Sequence, residues 1–140
     1  MGPVELMLLG RTLMKLGEQA LPSTGGGGER TVVIVMSDVY EHPGTTVGEV
    51  AARTGLPQSA VSGAVARLRE AGSVLAEPDP ADRRRQLLAR NPTPTARQRE
   101  VAAIDIAPTV AAALSTDEPA ALAEVLAALD TVARHLRPHR

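Results

Sequence analysis

Three residues at a fixed spacing constrain this chain most: Ala51, then Gly55 four residues later, then Val61 six residues after that. They lie in and between two short helical patterns, Val47 to Thr54 and Pro57 to Ala71. A small residue allows two helices to cross closely, a glycine enters the left-handed turn without steric cost, and a valine fills the angle between the helices. The spacing therefore predicts two short helices that cross at a tight turn.

A β-hairpin is predicted directly after the second helix. Short apolar runs at 74–77 and 86–89 flank a tip rich in proline, aspartate and arginine, residues 78–85. Apolar runs around such a tip are typical of two antiparallel strands. Helix, glycine turn, helix and basic hairpin, in this order, predict a winged helix-turn-helix, which inserts its second helix into the major groove of DNA.

Apolar stripes at both ends of the chain favour a dimer. The stripes follow helical spacing, which on the first helix is that of a heptad seam. Because each stripe is long, we expect both to pair with a second copy of the chain, although a buried helix of a monomer gives the same pattern at the N-terminus. The expected dimerisation residues are Leu6, Leu9, Leu13, Leu16, Leu122, Leu126, Leu129 and Leu136.

The remaining elements are predicted from periodicity and turn residues. The β-branched run 31–40 permits a strand, but its helical spacing favours a buried helix. A helix is expected from about 95 to 114, kinked or broken by Pro108, and Ser115 with Glu118 predicts a capping box for the last helix. The glycines at 25–28 predict a linker.

We therefore expect a single, mostly α domain with a small β-wing, spanning residues 1–140. It would contain an N-terminal dimerisation helix (1–22), a winged helix-turn-helix lobe (30–92) and C-terminal dimerisation helices (93–140).

Composition excludes several classes of protein. The chain has no cysteine, which excludes disulfides, cysteine-ligated zinc and a thiol switch. Aromatic residues make up 1%, so the core must be aliphatic, which suits helices. No apolar run reaches the length of a membrane span, and the first 21 residues carry four charges, unlike a signal peptide. We expect a cytoplasmic protein with no membrane partner.

Charge is distributed unevenly along the chain. Residues 45–99 hold nine arginines and five acidic residues, whereas the two ends are net acidic. A basic middle between acidic flanks is typical of a nucleic-acid module, although a solvated charged face gives the same pattern.

No set of residues predicts catalysis, a metal site or a cofactor. His42, His135 and His139 are far apart in sequence and match no metal-ligand spacing. Asp79 and Asp82 resemble an acid pair, but neighbouring arginines make ion pairing the simpler interpretation. We therefore expect a protein that is not an enzyme.

Three segments resemble the MarR family of winged helix-turn-helix transcriptional regulators. The segment 41–51, EHPGTTVGEVA, is similar to the family's entry into its first DNA-binding helix, and 58–72 is similar to its recognition helix. The segment 79–84, DPADRR, resembles the wing signature, the most diagnostic of the three. The resemblance implies a homodimer on a pseudo-palindromic operator, expected to act as a repressor. One departure is Gly63, where many members carry arginine or lysine.

Fold and resemblance together give a set of expected DNA contacts. Gln58, with its bidentate amide, and Ser59, Ser62 and Gly63 would face base edges, while Arg67 would meet a phosphate. By the resemblance, Arg84 enters the minor groove with Asp82 holding its guanidinium, and Arg83 and Arg85 contact the flanking backbone. Thr46, at the start of the first helix, completes the set.

The resemblance also implies a small, aromatic or phenolic effector that relieves DNA binding. The expected ligand residues are Arg11, Met14, Met36, Tyr40 and His42. A core without an effector site remains open, as does a winged helix that contacts another protein instead of DNA.

Overall fold

The computed structural model describes residues 1–22 and 28–136. Within them, the chain forms seven α-helices and one two-stranded sheet. The elements are α1 (Pro3–Ala20), α2 (Glu29–Glu41), α3 (Val47–Thr54), α4 (Gln58–Glu70), β1 (Val74–Pro78), β2 (Gln86–Arg90), α5 (Ala96–Ala102), α6 (Ala107–Ala113) and α7 (Ala121–Leu136). The predicted linker glycines at 25–27, and His139, lie outside the described residues.

The chain divides into two compact units. One contains Met1–Thr24 and Ala103–Arg140, and the other contains Gly25–Ala102. The predicted DNA-binding lobe at 30–92 falls within the second unit, to which α5 also belongs. The single-domain assignment stays a prediction.

The second unit is built around an aliphatic core, as the near absence of aromatic residues requires. Val35 and Val39 of α2, Val50 of α3, Val61 of α4 and Leu88 of β2 are all fully buried. The run 31–40 is therefore a helix that buries one face, which confirms the interpretation from its helical spacing. Burial of Leu88 alone is worth about 1.5–3 kcal/mol relative to exposure.

The helix-turn-helix forms as the spacing predicts. Gly55 ends α3 with a φ of 71°, a left-handed conformation that residues with a Cβ rarely adopt. Val61 is fully buried between the helices, and Ala51 packs against the same core. The sheet of β1 and β2 is antiparallel, with Val74 opposite Arg90 and Pro78 opposite Gln86. The predicted hairpin and the winged helix fold are confirmed.

The first unit is assembled from α1, α6 and α7. Helix α6 packs against both α1 and α7, and Val110 of α6 is its one buried hydrophobic residue among those described. Neither α1 nor α7 contains a buried residue. Their apolar stripes are therefore only partly covered within a single chain.

Two local predictions need correction. The helix expected from 95 to 114 is two helices, and the break at 103–106 precedes Pro108, which lies in the first turn of α6, where a missing N–H does no harm. Ser115 and Glu118 form no capping box, because α7 begins only at Ala121. Pro119 disfavours the helical conformation of Glu118, whose N–H instead binds Thr116 Oγ1 at 3.2 Å.

Candidate nucleic-acid interface

Helix α4 separates its residues into a buried face and an exposed face. Val61, Ala64, Val65 and Leu68 pack into the core. Gln58, Ser59, Ser62 and Gly63 are all exposed, and they lie on the opposite side of the helix. The structure therefore presents to solvent the four residues that the sequence assigns to base edges.

Gly63 has no structural role that requires a glycine. Its φ is not positive, and a Cβ added there would meet nothing within 4 Å. Glycine in a helix interior costs about 1 kcal/mol relative to alanine. The fold of the described residues thus gives no reason for a glycine at the centre of the exposed face.

Hydrogen bonds within the hairpin fix the tip of the wing. Asp79 N–H donates to the Arg85 carbonyl at 2.9 Å, and Arg85 N–H donates to the Asp82 carbonyl at 2.9 Å. Asp79 Oδ1 accepts the N–H of Ala81 at 2.9 Å, and Asp82 Oδ1 accepts the N–H of Arg84 at 3.1 Å. Both carboxylates thus close short turns of the kind that aspartate favours.

These bonds correct the role expected for Asp82. Its carboxylate binds the backbone N–H of Arg84 rather than the guanidinium. Asp82 therefore shapes the loop that carries Arg84, and the arginine side chain remains exposed. A sequence pattern identifies the two residues as partners but does not distinguish a backbone contact from a side-chain contact.

The three arginines of the wing tip are not equivalent. All are exposed, but Arg85 Nη2 lies 3.6 Å from Glu49 Oε1 at the start of α3. Among the described residues, Arg83 and Arg84 form no ion pair. Two cationic side chains at the tip are therefore available to an anionic partner.

A backbone bridge attaches the wing to the helix-turn-helix. Leu88 N–H donates to the Thr45 carbonyl at 2.7 Å, and Gly44 N–H donates to the Leu88 carbonyl at 2.8 Å. Thr45 and Leu88 form an antiparallel bridge, so the segment before α3 extends the two-stranded sheet. The sequence analysis missed this contact, since a single bridging residue has no periodicity.

Thr46 and Arg67 are less exposed than the other expected DNA contacts. Thr46 is buried and caps α3: its Oγ1 accepts the N–H of Glu49 at 3.3 Å and donates to Glu49 Oε1 at 2.9 Å. Arg67 is half-buried and already has a polar or charged partner within the protein. Their contact with DNA stays a prediction.

Much of the positive charge in the middle of the chain serves the fold. Arg53 forms a bidentate contact with Asp38, which raises the pKa of its guanidinium above the ordinary value. Arg90 lies over the ring of Tyr40, and Arg99 donates to the Pro94 carbonyl at 2.8 Å. The count of nine arginines therefore overstates the charge available to a nucleic acid.

The sequence model of the MarR family matches residues 30–85, from the start of α2 to the tip of the wing. The match covers the helix-turn-helix and the Asp82–Arg84 turn together. Over this segment, which is less than half of the chain, the sequence is similar to the MarR family. Among curated proteins, none matches the chain in sequence.

Several solved structures share the fold of this chain. PcaV from Streptomyces coelicolor is 24% identical, with a TM-score of 0.50 over 97% of this chain and 100% of its own. FabT from Streptococcus pneumoniae, solved with DNA, is 13% identical, with a TM-score of 0.50 over 96% and 94%. BpsR from Bordetella bronchiseptica is 21% identical, with a TM-score of 0.50 over 91% of this chain and 96% of its own. That structure concerns the regulation of DNA binding of BpsR by 6-hydroxynicotinic acid. PcaV is described as a transcriptional regulator, and the other two structures concern proteins that bind DNA.

The expected ligand residues of the chain are divided between its two units. Arg11 and Met14 lie on α1, whereas Met36 and Tyr40 lie on α2 and His42 directly follows it. Tyr40 is already engaged: its hydroxyl lies 3.4 Å from the Ser73 carbonyl and 3.3 Å from Gln98 Nε2. Met36 packs against the core. An effector site formed by these residues stays a prediction.

The expected dimerisation residues lie in the first unit, where several are exposed. Leu6 is 60% exposed, Leu9 41% and Leu136 76%. Leu13, Leu16, Leu126 and Leu129 line an apolar cavity of about 500 Å³ between α1, α6 and α7. Leu122 is half-buried on α7.

No helix among the described residues is long and apolar enough to cross a membrane. Within the same residues, no three histidine, aspartate or glutamate side chains lie close enough together to hold a metal ion.

Proposed function

We propose that the chain is a transcriptional regulator that binds double-stranded DNA sequence-specifically through α4 and the wing. The observation that carries the proposal is the wing tip, which holds Arg83 and Arg84 exposed, without an acidic partner in the described residues, on a turn closed by Asp82. Two arginines kept free of ion pairs in a chain with this many acids are suited to an anionic partner. The narrow minor groove, whose negative potential is enhanced, attracts such a side chain.

The exposed face of α4 would supply the direct contacts to bases. Gln58 can donate to and accept from an adenine in the major groove, and Ser59 and Ser62 can bond to a base or a phosphate. Gly63 allows the helix backbone to approach the base edges closely. In the wing, Arg84 would enter the minor groove, while Arg83 and Arg85 bind the flanking backbone. Thr46 and Arg67 would add phosphate contacts.

We further propose that the regulator is a homodimer. The N- and C-terminal helices α1 and α7 expose large apolar side chains that a second copy would cover, including Leu6, Leu9 and Leu136. Exposed apolar surface of this extent is typical of an interface. A two-fold dimer would bind two half-sites about one helical turn apart, on a pseudo-palindrome.

The regulator would act as a repressor that a small aromatic or phenolic molecule releases from DNA. BpsR, with the same fold, gives a precedent for control of DNA binding by an aromatic acid. Arg11, Met14, Met36, Tyr40 and His42 are the residues proposed to bind this effector. We expect the regulator to act on its operator in the bacterial cytoplasm.

A footprint on the DNA upstream of the chain's own gene tests the proposal. We expect one protected region, with two similar half-sites whose centres lie about 10 base pairs apart. A parallel titration with an unrelated fragment of equal length measures non-specific binding. Equal affinity for the two fragments, with no protected region, would contradict the proposed specificity.

A further inference from the structure

Arg53, near the end of α3, connects three parts of the second unit. Its Nε lies 3.1 Å from both carboxylate oxygens of Asp38 on α2, and its Nη2 lies 2.7 Å from Asp38 Oδ2. The same Nη2 donates to Thr45 Oγ1. Asp38 is 11% exposed and Arg53 31%, so solvent screens this pair less than the other ion pairs of the unit.

Thr45 extends this set of contacts into the wing. Its hydroxyl accepts from Arg53, and its carbonyl accepts the 2.7 Å hydrogen bond from Leu88 of β2. Arg53 therefore binds two partners at once. One is α2, the helix that precedes the helix-turn-helix, and the other is Thr45, which forms the bridge to the wing. We call Asp38, Arg53 and Thr45 the clamp.

We propose that Asp38 and Arg53 are positioning residues, which fix the wing relative to α4 so that Arg84 and the recognition helix meet DNA together. The inference rests on the proposed function. Arg53 is one of nine arginines in the basic segment, so a count of charges alone would assign it to phosphate binding.

The geometry favours positioning over a direct phosphate contact. A guanidinium has a planar fork of donors that matches a carboxylate. Here Nε donates to Asp38, and Nη2 donates to Asp38 and Thr45. Contact with a phosphate would require Arg53 to leave a half-buried carboxylate partner. Arg83 and Arg84 face no such competition within the described residues.

Replacing Asp38 by asparagine separates the two roles, since they predict opposite signs. If Arg53 positions the wing, D38N loosens the clamp and lowers operator affinity by about tenfold, the loss of one specific arginine contact. If Arg53 binds phosphate, D38N releases it and removes a negative charge, so affinity stays equal or rises. Glu100→Gln is the matched control, because it removes the acidic partner of Arg97, 3.9 Å away on α5, without touching the clamp.

Arg53→Lys supplies a second variant with the charge retained. Lysine binds phosphate as a point charge but cannot reproduce the bidentate fork. We expect R53K to lose affinity as D38N does, and wild-type affinity in R53K would overturn the proposal. Thermal unfolding gives the Tm of each variant, and operator binding is measured at a temperature well below it.

A double-mutant cycle with Arg84→Ala tests whether the clamp acts through the wing. If it does, R53K lowers operator affinity about tenfold in the wild-type background. It lowers affinity much less in the Arg84→Ala background, because the Arg84 contact that the clamp would position is already absent. Equal losses in both backgrounds would show that Arg53 acts independently of the wing, against the proposal. A general loss of folding would also lower affinity equally in both backgrounds, so only a smaller loss in the Arg84→Ala background supports an effect through the wing.

Amide exchange gives a readout without DNA. In D38N and R53K, the amides of Leu88 and Gly44 at the bridge should exchange faster than in E100Q, while the Val61 amide in α4 keeps its protection. Unchanged exchange at Leu88 would refute the clamp itself. If the wild-type chain binds no DNA but the exchange result holds, the proposed function fails and the clamp remains.

Discussion

The guanidinium of Arg90 lies over the ring of Tyr40, 4.7 Å from the ring centroid. Arg90 is the last residue of β2, and Tyr40 is the only aromatic residue of the chain. The contact joins the base of the wing to α2. A phenolic effector that binds at Tyr40 would therefore act directly on a contact of the wing.

We expect Arg90→Gln to lower the free energy of unfolding by about 0.5–1 kcal/mol, the value of an exposed cation–π contact. Urea denaturation measures the change. In a Tyr40→Leu background the same substitution should cost almost nothing, since the ring is gone. A full cost in that background would show that Arg90 stabilises the lobe by another route.

A substitution at Gly72, between α4 and β1, tests how closely Thr95, the residue before α5, packs against this turn. Its φ is +74°, and a Cβ there would meet Cγ2 of Thr95 at 2.6 Å. Gly44 has a similar φ of +82° but nothing within 4 Å. Gly44→Ala should cost about 1–2 kcal/mol from the left-handed backbone alone.

Gly72→Ala should cost more than Gly44→Ala, because it adds a steric clash to the same backbone strain. Chemical denaturation of the two variants isolates the difference. Equal costs would mean that Thr95 moves away from Gly72 without a measurable penalty.

Gly63→Ala should raise stability and lower DNA affinity together. The alanine removes a helix-interior glycine, which stabilises by about 1 kcal/mol, and meets no atom of the protein. Its methyl group would, however, separate α4 from the base edges. Thermal unfolding and operator binding are measured on the same preparation.

Gly48→Ala is the control for this prediction, since Gly48 is also an exposed helical glycine with nothing within 4 Å, but lies on α3. It should gain stability without losing affinity. Operator affinity in G63A equal to wild type would exclude a close approach at Gly63.

Replacing Leu9 and Leu13 by glutamate should give monomers. The two side chains belong to the apolar surface of α1, where charges oppose burial against a second copy. Sedimentation velocity gives the mass. Leu75→Glu is the control for a charge placed on exposed apolar surface, because Leu75 is 47% exposed, close to the 41% of Leu9, and lies on β1 in the other unit. Dimers in the α1 variant would show that the α1 seam is misassigned.

The predictable features were those that depend on local sequence. Gly55 and the apolar spacing around Val61 determine a turn and a buried face within a few residues, so both helices of the motif could be placed. Ser115 and Glu118 have the same local signature as the real capping box of Thr46 and Glu49. They fail because Pro119 excludes the required conformation of Glu118.

Contacts between distant residues could not be predicted. Arg53 and Asp38 are 15 residues apart on two helices, and no periodicity relates them. The Thr45–Leu88 bridge depends on how the wing folds back on the segment before α3. Sequence composition indicates that arginines are abundant, but only the fold distinguishes Arg53 and Arg90, which contact Asp38 and Tyr40, from Arg83 and Arg84 at the tip.

The most direct test of the account is the salt dependence of binding to the upstream DNA fragment, measured by fluorescence anisotropy for the wild type and for Arg84→Ala. We expect the wild type to bind at low salt, with log affinity falling linearly as log salt rises. R84A should bind about tenfold more weakly, with a shallower slope because one cation is removed from the minor groove, and should keep its dimer mass. No wild-type binding at low salt, or an R84A variant with unchanged affinity and slope, would contradict DNA recognition through the wing.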